Sequence, residues 1–221
     1  MKKTLLTIAT LAILVLPSLT SAAQGRPGGY GSLFLGVSLL DDTDVTSYLY
    51  DTGVTISERI EFDPGVYVGG TAGYDFGIIR LEGELSYRQN EMDSITDRDF
   101  GIKYGGVDGD VGIFAFMANA FLDFHNDSPI TPYIGGGIGG ATIYLSDTHG
   151  DGLVIYAEDD DSVFAYQVGG GLDIALNRQT SLDIGYRYFG TEKASFNSDW
   201  YQSVKFETES HNIAVGFRFK F

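Results

Sequence analysis

From Tyr30 onward the apolar residues of this chain recur at every second position, the repeat of a β-strand with one buried or lipid-facing side. Residues 33–39 put Leu33, Leu35, Val37 and Leu39 on one face and Ser32, Phe34, Gly36 and Ser38 on the other. Residues 66–76 set Val66, Val68, Gly70, Ala72, Tyr74 and Phe76 against Tyr67, Gly69, Thr71, Gly73 and Asp75. After Gly77-Ile78 comes the clearest strand, with Ile79, Leu81, Gly83, Leu85 and Tyr87 opposed by Arg80, Glu82, Glu84, Ser86 and Arg88. Residues 112–124 carry Phe114, Phe116, Ala118, Ala120, Leu122 and Phe124 opposite a mixed face that includes Asn119 and Asp123. The glycines of 133–140 blur the pattern, and Ile134 and Ile138 are assigned outward. Three more strands follow: 163–176 (Phe164, Tyr166, Val168, Leu172 and Ile174), 182–189 (Leu182, Ile184, Tyr186 and Tyr188) and 212–221 (Ile213, Val215, Phe217, Phe219 and Phe221).

The connections alternate in length: long at 41–61, 89–110, 146–161 and 190–209, and short at 77–78, 125–132 and 177–180. Eight strands wired in this way predict an eight-stranded antiparallel up-and-down transmembrane β-barrel over residues 30–221, with short periplasmic turns and long extracellular loops. Alternation alone also suits a soluble lipocalin-like barrel. Three features favour lipid. The apolar face carries no charge on any strand, as expected where an exposed charge in hydrocarbon costs about 2–4 kcal/mol. Tyr74, Phe76, Tyr87, Phe124, Tyr186, Tyr188, Phe217 and Phe219 lie towards strand ends, where interfacial aromatic girdles belong. The opposite face mixes small residues with charges of both signs, which suits a narrow lumen.

On that inner face Arg80, Arg88, Arg187, Arg218 and Lys220 meet Asp75, Glu82, Glu84, Asp123, Asp173 and Asp183, a nearly neutral set. An eight-stranded barrel is just wide enough for its side chains to fill. The expectation is that these groups, with Asn119 and Gln167, interlock as a polar plug, because buried charge must be paired. A charge-selective pore would favour one sign and a wider barrel.

The N-terminus adds an address. Met1-Lys2-Lys3, an apolar run from Leu5 to Leu16 broken by Thr7 and Thr10, Pro17, and the small residues up to Ala23 read as a secretory signal peptide cleaved after Ala23. The apolar run is roughly a dozen residues, short of the ~20 of a spanning helix. Residues 24–29 are then a short tail. The chain of 221 residues has no Cys and a formal charge of −16, and losing Lys2 and Lys3 makes it more acidic. That excludes a disulfide framework and argues against nucleic acid.

The acidity concentrates in the long connections: Asp41, Asp42, Asp44, Asp51, Glu58 and Glu61 against Arg59 in the first, and Asp147, Asp151, Glu158, Asp159, Asp160 and Asp161 in the third. Carboxylates bind Ca²⁺ or Mg²⁺, but neither His149-Gly150-Asp151-Gly152 nor Glu158-Asp159-Asp160-Asp161 has the spacing of a defined calcium loop, so no metal or cofactor is expected. Ser210-His211, beside Glu209, is a candidate hydrolase dyad, yet neighbours on a strand point to opposite faces. His125 and His149 fall in a turn and a loop, and no enzymatic site emerges. Val54-Thr55-Ile56-Ser57 and Leu153-Val154-Ile155-Tyr156 suggest that strands continue above the membrane.

The stretches Met117-Ala118-Asn119-Ala120 into Leu122-Asp123-Phe124, Pro132–Gly139, Phe164–Gly171, Leu182–Phe189 and the terminal Phe221 carry a resemblance. The chain resembles the bacterial outer-membrane β-barrel families that include the OmpA and OmpX barrels, the opacity-type porins and the surface antigens of intracellular bacteria. The resemblance implies an outer-membrane location among lipids and lipopolysaccharide, and a structural or surface-interaction role in envelope integrity, adhesion or antigen display. It also implies recognition of Phe221 by the outer-membrane assembly machinery, and a host or environmental ligand at the acidic loops. A small-solute or ion channel is the alternative, and a lipid A-modifying hydrolase a more distant one. OmpA proper continues into a peptidoglycan-binding domain, and with the sequence ending at Phe221 no cell-wall tether is expected.

Overall fold

Eight long strands run alternately up and down: β1 (Gly28–Leu40), β2 (Gly65–Asp75), β3 (Ile79–Asp97), β4 (Asp110–Asp123), β5 (Ile130–Leu145), β6 (Asp159–Ala175), β7 (Thr180–Thr191) and β8 (Glu209–Lys220). The computed structural model describes residues 27–49, 55–98, 101–105, 109–146, 148–150, 153–156, 159–196 and 201–221. The expected signal peptide (1–23), residues 24–26 of the tail, and Asp51, Val54, Asp147, Asp151, Gly152 and Glu158 lie outside the described residues. Each strand pairs antiparallel with the next. β1 returns to β8, from Tyr30↔Lys220 to Leu40↔Ser210, and closes the barrel. Closure leaves no sheet edge in the hydrocarbon, where an unpaired peptide group has no water to turn to.

The alternation decides the two faces. Leu33, Leu35, Leu85, Phe116, Ile134, Ile138, Val168 and Val215 are exposed outward, Leu33 by 70% and Ile138 by 61%. No outward position of the belt formed by 33–37, 66–74, 79–87, 114–122, 134–140, 164–172, 182–186 and 213–219 is charged.

One rim is built from tight turns. At Gly77 the Asp75 side chain accepts from the backbone N–H at 2.7 Å and φ is +103, a conformation open to glycine at little cost. Asn126 and Asn177 carboxamides accept backbone N–H groups in the other two turns. The second turn is shorter than the sequence suggests, because β5 begins at Ile130.

At the opposite rim strands continue above the membrane, as the residues at 55–57 and 153–156 suggested, and they pair more widely than the sequence showed. A membrane strand needs about 9–11 residues, and β3 has 19, so its upper part stands clear of the bilayer. The strand Thr55–Phe62 pairs along it, followed outward by Thr43–Leu49, Tyr201–Phe206 and Ala194–Phe196. Ile102–Gly105 pairs on the other edge of β3. The first, second and fourth connections therefore share one surface sheet. In the third, Leu153–Tyr156 pairs with Thr148–Gly150.

The interior also differs from a polar lumen throughout. Val111, Ile113, Ala115 and Met117 of β4, Ala141, Ile143 and Leu145 of β5, and Phe189 of β7 are buried inside the upper barrel. Leu40, Ile60, Met92 and Ile95 cover them from the surface-sheet side. Period two assigns these residues to the inner face but is silent on height, and the change from apolar to polar occurs along the strand, between Met117 and Asn119.

The closed barrel is expected to migrate differently on a gel before and after boiling in detergent, and a constant mobility would contradict closure. Leu85→Arg, outward in the belt, should cost about 2–4 kcal/mol in urea unfolding from lipid vesicles. Ile143→Ala should cost about 2–5 kcal/mol through the cavity left in the apolar cap.

Candidate functional site

Below the apolar cap the inward positions of the strands carry the charged residues, and their pairing is dense. Arg80 Nε donates to Asp123 at 3.1 Å and Nη1 to Glu82 at 3.2 Å, while the Tyr30 hydroxyl donates to Glu82 at 2.6 Å. The Arg80 guanidinium sits 4.7 Å from the Phe121 ring and 4.8 Å from the Tyr133 ring. Arg218 bridges Asp173 and Asp183, with the Asp183 contact at 2.8 Å. Tyr133 and Ser181 donate to those same carboxylates. Lys220 closes the lower rim against Asp75 at 3.4 Å.

One level up, Glu84 accepts from Tyr67, Asn119 and Gln167 at 3.0–3.1 Å and from Arg187 at 3.4 Å. Gln167 also donates to Asn119 at 2.7 Å, and Arg187 reaches Glu82 at 3.7 Å. Buried ions of this kind survive because each carboxylate has several donors. Between the lower clusters lies a gap of about 20 Å³, lined by Ser32, Thr71, Glu82, Asp183, Arg187 and Arg218 among others. One water needs about 10–15 Å³.

Arg88 is different. It lies at the boundary with the apolar cap, sandwiched 4.5 Å from the Tyr67 ring and 3.9 Å from the Phe189 ring. Its donors go to Asn212 and Ser86, each at 3.2 Å, and no carboxylate among the described residues forms an ion pair with it.

All twelve polar residues singled out from the sequence, Arg80, Glu82, Glu84, Arg88, Asn119, Asp123, Gln167, Asp173, Asp183, Arg187, Arg218 and Lys220, therefore share the barrel interior. Tyr67, Ser86 and Asn212 were placed on the inner face from the sequence but not in the polar network, and Tyr30, Tyr133 and Ser181 were left out altogether. The inward parity of these positions was available as a signal, but a tyrosine in an alternating strand reads equally as an interfacial residue.

Outside the barrel, Tyr74, Phe76, Tyr87, Phe124, Tyr186, Phe217 and Phe219 are exposed. Tyr188 is half-buried, packed beside Tyr166 and His211. Phe221 is 89% exposed, and its N–H donates to Gly29 at 2.9 Å. Ser210 lies wholly inside and donates nothing to His211, which faces out, with Nδ1 2.7 Å from the Tyr186 hydroxyl and Nε2 3.6 Å from Asp41. The two side chains are on opposite sides of the wall.

Above the membrane, the acids of the first connection meet Arg59 of that connection and two bases of the second. Asp44 contacts Arg98 at 2.6 Å and Glu61 contacts Lys103 at 2.7 Å, while Asp42 meets Arg59 at 2.9 Å. The hydrogen bond from Lys103 holds the Glu61 carboxyl below the usual carboxylate range. Among the described residues no three His, Asp or Glu side chains converge as metal ligands.

The comparisons agree with this architecture. A family model described as the outer membrane protein beta-barrel domain matches residues 8–221. Outer membrane protein PagN of Salmonella typhimurium strain LT2 is 27% identical over 216 residues, covering 90% of this chain and 88% of PagN. Among solved structures, OprG of Pseudomonas aeruginosa superposes with a TM-score of 0.59 at 18% identity, over 90% of this chain and 98% of OprG. Neisserial surface protein A superposes with a TM-score of 0.55 at 18% identity, over 89% of this chain and all of the other. These two likenesses concern the fold. Uncharged outward belt, closed register and family match together make this chain a member of the outer-membrane β-barrel protein family, resident in the bacterial outer membrane.

Proposed function

We propose that the protein is a surface-interaction scaffold: a barrel that anchors in outer-membrane lipid and lipopolysaccharide, is filled by its own side chains, and presents a rigid sheet to the medium or a host ligand. The observation that carries this reading is the packing of the interior. The gap lined by Glu82, Asp183, Arg187 and Arg218 holds only about 20 Å³, and the apolar residues Ile113, Met117 and Ile143 lie above the polar clusters. A conducting path would have to break buried ion pairs below and displace close-packed side chains above. The proposed contact surface is the sheet over the barrel, where Asp42, Asp44 and Glu61 alternate with Arg59, Arg98 and Lys103. Such a surface offers both signs of charge at fixed spacing. The separation of Ser210 from His211 by the barrel wall supports a non-enzymatic role.

Conductance in planar bilayers tests the closed interior. No steady openings are expected, and reproducible steps would overturn it. The ion-pair clusters also give a graded expectation. Arg80→Met strands Asp123 and should cost about 3–5 kcal/mol in unfolding from vesicles. Arg88→Met strands no carboxylate and should cost less than half as much. In the surface sheet, Glu61 is depressed below its unfolded value, so its tie to Lys103 stabilises above the ordinary carboxylate pKa and is lost as pH falls through the lower folded value. Glu61→Gln should lower the neutral region of a stability-against-pH profile slightly and flatten that acid limb, leaving stability below the folded value of Glu61 unchanged. Phe221 is proposed as the assembly signal. Its deletion should lower the amount of protein in the outer membrane without changing the gel shift of what does assemble.

A further inference from the structure

On the outer wall, where β3, β4 and β5 leave the apolar belt, a cavity of about 270 Å³ opens between Tyr87, Gln89, Asp110, Gly112 and Tyr144. The register places Gln89, Gly112 and Tyr144 side by side across three strands. Gly112 has no side chain, and the Tyr87 ring lies across it: a Cβ on Gly112 would come within 2.8 Å of the Tyr87 hydroxyl and 3.5 Å of the ring. The Tyr87 side chain thus fills the space over Gly112 and, partly exposed, forms a floor. Tyr144, exposed and on the far side of Gly112, forms a wall. At the upper rim Asp110 accepts from Gln89 at 3.3 Å, and its backbone N–H donates to Ser146 at 2.7 Å.

The chemistry of the cavity is one-sided. No Lys or Arg lines it. The carboxylate of Asp110 faces it, Glu91 lies opposite Asp110 in register, and Asp160 lies opposite Tyr144. Aromatic faces carry negative potential, and aromatic faces beside a carboxylate are the surroundings that favour an organic cation. An anionic phosphate finds no positive partner among the lining residues. We propose that this notch binds an alkylammonium group, with Tyr87 and Tyr144 against the cation and Asp110 as counter-ion. Its height, with Gln89, Gly112 and Tyr144 two outward rows above the belt residues Leu85, Phe116 and Phe164, brings it within reach of both a lipid headgroup ammonium and a soluble amine. The site does not depend on whether the lumen conducts.

The test uses the folded barrel in uncharged polyoxyethylene micelles, titrated with tetramethylammonium chloride against sodium chloride at equal ionic strength. Backbone amide shifts of Gly112 and Tyr144 provide the readout. A saturable shift is expected with tetramethylammonium alone. Tyr144→Leu should weaken it about tenfold, and Asp110→Asn should weaken it by a similar factor. Gly112→Val, whose side chain evicts the Tyr87 ring, should abolish it. The boiling shift on a gel confirms that each variant is folded. A response that does not saturate, or is unchanged in Tyr144→Leu, overturns the proposal. So does a response to glucose in place of the cation, which would make the notch a saccharide site. Nanodiscs divide the sources. Phosphatidylcholine that competes with tetramethylammonium, where phosphatidylglycerol does not, assigns a lipid headgroup. Equal affinity in both assigns a soluble amine.

Discussion

Backbone polarity governs this molecule. A peptide group crossing hydrocarbon must find its partner within the protein, and for strands the only complete solution is a closed cylinder. The β1–β8 seam, eleven residue pairs from Tyr30↔Lys220 to Leu40↔Ser210, completes it. Once eight strands close, their width fixes what the inside can hold. Side chains from opposite walls then meet, and their chemistry has to match. Glu84 of β3 is served by Tyr67 of β2, Asn119 of β4, Gln167 of β6 and Arg187 of β7. A charge on one strand therefore specifies residues on four others.

The interior is layered. Lower down, carboxylates and guanidinium groups neutralise one another with multiple hydrogen bonds. Higher up, aliphatic side chains exclude water from the top of that network. Arg88 occupies the seam between the two regimes, where aromatic faces take the place of a carboxylate. Removing either layer exposes the other to solvent that it is not built to meet.

Most of the wall could be read from the chain. Alternation placed Leu33, Ile138 and Val215 outside and Arg80, Glu84 and Arg218 inside, and the long-short rhythm of the connections gave the strand count. Two things were hidden for physical reasons. The height at which Met117 gives way to Asn119 is set by how neighbouring strands are staggered, and stagger is a property of the pairing. Strands above the membrane were suggested at 54–57 and 153–156, but their joining into one surface sheet was hidden because Thr43–Leu49 pairs with Tyr201–Phe206, segments more than a hundred residues apart. Arg98 and Lys103 looked unrelated to Asp44 and Glu61 until that sheet brought the connections together. The twelve interior polar residues were legible as a set, but not as pairs.

β3 is one unbroken strand of 19 residues, hydrogen-bonded within the bilayer to β2 and β4 and above it to Thr55–Phe62 and Ile102–Gly105. A pull on the surface sheet away from the cell is therefore delivered along the axis of a membrane strand. The ladder bonds on both its sides are loaded together in shear instead of being opened one at a time. Joined in this way, the exposed platform can transmit tension to the outer membrane without a hinge between grip and anchor.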